Sequence, residues 1–111
     1  MSEATRYVLL YENGANYPAG AREHFPAHQT RFREFMRRGV LLSVGPLTDA
    51  DGGAMAIFTS RDAAEELAAR DPFVLNSVVG AWHVREWREV TPGDIPERGV
   101  RSLAGGRPGR G

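Results

Sequence analysis

Apolar residues in this chain fall into short strand-like runs and two stretches at helical spacing. From Arg6 to Tyr11 the run Arg-Tyr-Val-Leu-Leu-Tyr is β-rich and apolar on both alternating faces, the pattern of a central strand covered on two sides. Asn13-Gly14, Pro18 and Gly20 then mark Glu12 to Gly20 as a loop, long enough to line a pocket mouth. Phe25, His28, Phe32, Phe35 and Met36 recur at helical spacing, flanked by Arg31, Arg33, Arg37 and Arg38, and Gly39 supplies the stop. Pro26 is expected in a first turn or at a bend, because inside a regular helix it costs about 3 kcal/mol. That places His28 in the first two turns of helix one.

Val40 to Val44 is the next apolar run, followed by Gly45-Pro46, a turn over Asp49 to Gly53, and a partner run from Ala54 to Phe58. The pattern predicts a β-hairpin, with Asp51-Gly52 supplying positive φ at little cost. Thr59 or Ser60 is placed to cap a second helix whose stripe is Ala63, Ala64, Leu67 and Ala68, with Asp62, Glu65 and Glu66 near its positive end. Asp71-Pro72 breaks that helix and opens a short third one, since aspartate suits an N-cap and proline the first helical position. Gly80 is expected to end it, and Ala81 to Trp87 reads as the last strand. Residues 1–90 therefore form one domain, and the Gly/Pro/Arg-rich segment 91–111 lacks core-forming periodicity and is expected to be disordered.

The order β-α-β-β-α-β predicts an α+β, ferredoxin-like fold, a four-stranded antiparallel sheet with both helices on one face. Val8 and Leu10 alternate with Tyr7, Leu9 and Tyr11, so whichever set meets the helices, the other leaves an apolar face that needs cover. A second copy stacking sheet on sheet supplies it, and a homodimer is expected.

Composition narrows the function classes. With 111 residues there is room for one core, and with no cysteine there is no disulfide, thiolate nucleophile or thiolate metal site, which suits a reducing cytoplasm. Residues 1–90 hold ten arginines against twelve acids and residues 91–111 four against two, with no lysine anywhere. The folded region has no basic stripe with interleaved aromatics, so nucleic acid is not an expected partner. No apolar stretch approaches the roughly 20 residues of a membrane span, and Met1-Ser2-Glu3-Ala4-Thr5 lacks the features of a signal peptide. A soluble cytoplasmic protein is expected.

Candidate chemistry centres on His28 and Asp71. A histidine on an apolar stripe is either a core residue with satisfied ring nitrogens or a working base. An aspartate before proline is a good N-cap in its own right, although its two oxygens allow a second role. If folding joins them, the aspartate fixes the imidazole tautomer and stabilises the imidazolium, leaving the other ring nitrogen to move a substrate proton. His24 and His28 have i, i+4 spacing, but Pro26 between them disturbs the geometry and no third ligand is evident, so no metal is expected and His24 is read as a pocket-rim or surface residue and a candidate substrate contact. Tyr11 is a candidate hydrogen-bond donor to substrate or a core residue, Arg22 a candidate anion contact near the helix start, and Ser43 a further candidate substrate contact. His83, alternating with Trp82 and Val84, reads as structural. No phosphate-cradling glycine loop follows the first strand, so a cofactor-free reaction is expected.

Three segments carry a family resemblance: Pro26-Ala27-His28 opening helix one, Gly39-Val40-Leu41-Leu42-Ser43-Val44-Gly45-Pro46 across strand two, and Asp71-Pro72-Phe73-Val74 after helix two. In their order and spacing the chain resembles the YCII-like (YciI-related) family of small dimeric α+β-barrel proteins over about residues 6–90. The resemblance implies that His28 and Asp71 face a shared pocket. Some relatives act in the breakdown of chlorinated aromatics, eliminating chloride from a hydroxylated ring. The expectation is a cofactor-independent enzyme of small-molecule metabolism, a lyase or isomerase moving a proton on a cyclic or aromatic substrate. The alternatives are a non-catalytic small-molecule-binding or accessory protein and a cofactor-free monooxygenase of the same architecture.

Overall fold

A central strand, β1 (Ala4–Asn13), organises the computed structural model, which describes residues 4–95. It is followed by α1 (Tyr17–Arg37), β2 (Leu41–Pro46), β3 (Ala54–Phe58), α2 (Arg61–Arg70), α3 (Pro72–Leu75) and β4 (Val79–Glu89), with a 3₁₀ turn at Pro92–Asp94. The four strands form one antiparallel sheet in the order β2-β3-β1-β4, as the ferredoxin-like reading requires. The tail expected to be disordered lies outside the described residues from position 96 onward.

Register decides which residues meet the helices. Leu9 stands opposite Ala56 and Val84, and Tyr11 opposite Ala54 and Trp82. Leu9, Tyr11, Leu41, Ala56 and Phe58 are buried against Phe32 and Phe35 of α1 and Ala63, Ala64, Leu67 and Ala68 of α2. Small residues on α2 let it approach the sheet closely. Phe25 and Met36, expected on the same stripe, are largely exposed. Arg38 pairs with both Glu66 oxygens at 3.1 Å, and Arg70 reaches Glu66 at 2.9 Å and Glu34 at 3.5 Å, which ties α1 to α2 across the solvent side.

Helix α1 corrects two expectations. It begins at Tyr17 rather than beyond Gly20, so the loop expected over Glu12 to Gly20 shrinks to residues 14–16. Pro18 suits the first turn, and Gly20 is buried in the helix because a Cβ there would lie 2.7 Å from Val78 Cγ2 and from Asn16 Nδ2. Pro26 consequently lies inside the helix and His28 about three turns from its start. The helix ends as expected at Gly39, with φ of 78°, where Gly39 N–H donates to Met36 O and Val40 N–H to Phe35 O, a Schellman closure.

The hairpin between β2 and β3 turns through Gly52 and Gly53, both at positive φ. Ser60 caps α2 by accepting from Ala63 N–H at 3.1 Å. The short helix α3 stops at Leu75 and not at Gly80. Ser77 then adopts φ of 61°, and Gly80 belongs to β4, where a Cβ would meet Gly14 Cα at 3.1 Å. These close approaches bring the end of β1 and the start of β4 together beside the site.

The other sheet face carries Val8 opposite Ile57 and Leu10 opposite Met55 at its centre, with Arg85, His83 and the Arg6–Trp87 pair beside them on β1 and β4. Met55 and Trp87 remain 37% and 43% exposed, so this face is uncovered in the single chain. No helix among the described residues is long and apolar enough to cross a membrane.

Candidate active site

Asp71 is the one charged residue among those described that is fully buried, at 0% exposure. It ends α2 and caps α3, with Oδ1 accepting from Phe73 N–H at 3.0 Å. The same oxygen lies 2.8 Å from His28 Nδ1, and Oδ2 accepts from the Tyr11 hydroxyl at 2.7 Å. Three donors from β1, α1 and α3 thus converge on one carboxylate, and capping and histidine contact coexist. These three protein donors take the place of the hydration that burial removes from the carboxylate.

With an ionised Asp71 as acceptor, Nδ1 carries the ring proton and donates it. Nε2 has no protein partner among the described residues and is left as the acceptor. Phe73 stacks on the imidazole at 3.7 Å between centroids and 8° between planes, while Phe32 tilts against it at 4.4 Å and Phe25 at 6.1 Å. The tripeptide Asp71-Pro72-Phe73 therefore fixes the ring by a hydrogen bond and by stacking together. Burial first, and then the Asp71 charge and hydrogen bond, raise the Tyr11 phenol far above its ordinary value, so it stays protonated and donating.

The histidine lines a cavity of about 310 Å³ between the helices and the sheet. Its walls are mainly apolar, with Phe25, Phe32 and Phe73 on the helical side and Leu9, Val44 and Ala56 on the strands. Polar groups reach it from His28, Tyr11, Asn13 and Tyr17, and no arginine, lysine, aspartate or glutamate lines it. A cavity of this size and lining suits a small, largely apolar ligand.

Of the six residues singled out in the sequence, the structure brings together His28, Asp71 and Tyr11. Arg22, His24 and Ser43 are not among the lining residues. Arg22 and Ser43 are exposed, Ser43 opposite Ile57 on the sheet face away from the helices, and His24 Nε2 lies 3.8 Å from Glu23 Oε1. Among the described residues no three histidine, aspartate or glutamate side chains are grouped to hold a metal ion. Sequence reasoning missed Phe73 as the ring's stacking partner, although it sits in the quoted Asp-Pro-Phe segment. It also missed Asn13 and Tyr17, which the loop assignment hid.

Residues 5–88 match the model of the YCII-related domain. The chain belongs to this family. No curated protein sequence matches it. Among solved structures, this YCII-related domain is similar to 5-chloro-2-hydroxyhydroquinone dehydrochlorinase from Burkholderia phenoliruptrix in complex with 2,5-dihydroxybenzoquinone, with a TM-score of 0.64 at 16% identity over 77% of this chain and 95% of that one. A candidate antibiotic biosynthesis monooxygenase from Nitrosomonas europaea has a TM-score of 0.53 at 10% identity, covering 83% and 96%. A conserved protein from Methanosarcina mazei has 0.52 at 9%, covering 78% and 94%. At these identities the likeness is one of fold.

Proposed function

We propose that the domain is a cofactor-independent enzyme of small-molecule metabolism in which His28, oriented by Asp71, moves a proton on a hydroxylated ring. The observation that carries this reading is the fully buried Asp71 holding His28 Nδ1, which leaves Nε2 as the unpaired acceptor of a ring that lines an apolar cavity. Such a base takes a hydroxyl proton from a bound ring, the oxygen's electron pair forms a carbonyl, and the imidazolium returns the proton to a ring carbon. That sequence is an isomerisation. Where that ring carbon also carries chlorine, a second ring hydroxyl then loses its proton to the base, its electron pair forms a second carbonyl and shifts a ring double bond toward that carbon, and chloride leaves with the C–Cl bonding pair, so that HCl is eliminated and a quinone forms with no external oxidant. The bound dihydroxybenzoquinone of the dehydrochlorinase, a flat oxygenated ring in a similar fold, supports this class of ligand.

The test is turnover of a panel of chlorinated and unchlorinated hydroquinones, followed by chloride release and by deuterium entry from solvent. Loss of about 10²–10⁴-fold in rate is expected in His28→Ala, the usual contribution of a positioned acid/base. Ring binding with no turnover in the wild type would favour the non-catalytic binding protein, and oxygen consumption the monooxygenase.

The homodimer belongs to the same proposal. Val8, Leu10, Met55, Ile57 and Trp87 are apolar residues of the sheet face that a second copy would bury sheet against sheet. Light scattering at twice the chain mass is expected, and a monomer at micromolar concentration would contradict it.

A further inference from the structure

The sequence offers Tyr11 as a donor to substrate or as a core residue; its ring is buried, and its hydroxyl is committed to Asp71 Oδ2 at 2.7 Å, inside the protein. We propose that Tyr11 is a positioning residue that holds Asp71 in place and moderates the basicity of His28 through it. The inference rests on the His28–Asp71 pair of the proposed function and adds a third member with an effect of opposite sign.

Geometry and charge both lead to this. Tyr11 stands on β1 between Ala54 and Trp82, whereas Asp71 belongs to the corner between α2 and α3. Their hydrogen bond therefore ties the sheet to the helical layer and sets which carboxylate oxygen turns toward His28. With Oδ2 held by Tyr11, Oδ1 is shared between His28 Nδ1 and Phe73 N–H. A carboxylate that accepts a further hydrogen bond is less basic and attracts an adjacent imidazolium less strongly. Tyr11 thus offsets part of the pull of Asp71 on an imidazolium and favours the neutral ring, whose Nε2 accepts a proton.

Few other groups compete for control of the ring. Its walls are Phe25, Phe32 and Phe73. Tyr17 lines the same cavity, and His24 lies one turn earlier on α1 with its Nε2 3.8 Å from Glu23. No cationic side chain lines the cavity.

The experiment is an NMR pH titration of the His28 ring in the full chain, with His24 and His83 assigned by single His→Gln variants. Relative to wild type, Asp71→Asn should lower the His28 midpoint, and Tyr11→Phe should raise it by roughly half to one pH unit. As a check that keeps the bond, 3-fluorotyrosine placed at position 11 is a stronger donor of nearly the same size and should lower the midpoint. A fall in Asp71→Asn with no rise in Tyr11→Phe would overturn the role of Tyr11 and leave the pair standing. No response to Asp71→Asn would overturn the pair and the inference with it. Should Tyr11→Phe fail to fold, an unchanged or raised midpoint with 3-fluorotyrosine would overturn the inference by itself.

Discussion

Replacing Asp71 by alanine removes the acceptor of three hydrogen bonds at a position with no solvent exposure. Loss of the α3 cap costs about 0.5–2 kcal/mol. The Tyr11 hydroxyl and the His28 ring are then left without a partner beside an apolar cavity, at about 1–3 kcal/mol for each group that water cannot reach. Because these contributions are not additive, the expected destabilisation is about 3–5 kcal/mol. Asp71→Asn keeps an oxygen for Phe73 N–H and His28 and can turn its amide N–H toward the Tyr11 oxygen, so about 1–2 kcal/mol is expected. Urea unfolding followed by the fluorescence of Trp82 and Trp87 measures both, at one protomer concentration so that association does not enter the comparison. In a domain of this size each kcal/mol corresponds to about 4–8 °C in melting temperature. An Asp71→Ala protein within about 1 kcal/mol of wild type would refute the reasoning, since the convergence of donors would then carry no energy.

The remaining predictions concern the groups around this carboxylate and the close approaches that frame it. The Tyr11 phenol is raised above its ordinary 10.0 in the folded chain, so the neutral form is favoured there and folding stability is fully present below pH 10.0 and declines as pH rises beyond it. Alkaline denaturation curves should show that decline in wild type and lose this component in Tyr11→Phe. Phe73→Leu keeps an apolar side chain but loses the stacked ring, at about 0.5–1.5 kcal/mol, and should move the His28 ring-proton signals downfield in the NMR spectrum as the ring current disappears. Gly14→Ala drives a Cβ into the Ser77 carbonyl oxygen and within 3.1 Å of Gly80 N, and should destabilise by about 1–3 kcal/mol in thermal melts. Gly93→Ala, with nothing within 4 Å, should have no effect in the same melts.

Much of the architecture is legible in the chain because binary patterning and punctuation agree there. Alternation in β1, the small-residue stripe of α2, Gly39 as a helix stop and Asp71-Pro72 as a cap with its first turn all state local rules that the folded protein obeys. The start of α1 is illegible for a physical reason. Pro18 and Gly20 read as breakers, yet Pro18 occupies a first turn where it costs nothing, and Gly20 is required by Val78, a residue far away in sequence. Gly80 misleads in the same way, standing in a strand because Gly14 packs against it. At the site, the sequence points to His28 and Asp71 by residue type and by family resemblance. The commitment of Tyr11 to Asp71 depends on the register of β1 against the α2–α3 corner, which no local pattern records.

Everything proposed for this cavity depends on His28 presenting an unprotonated Nε2 to a ligand while Nδ1–H is held by Asp71. The most direct test is the ¹⁵N NMR spectrum of the His28 imidazole above its titration midpoint, with and without a chlorinated hydroquinone. The expected result is a protonated Nδ1 and a bare Nε2, with the Nε2 resonance alone moving strongly as the ring binds. A ring protonated at Nε2, or an Nε2 resonance indifferent to the bound hydroquinone, would contradict the account.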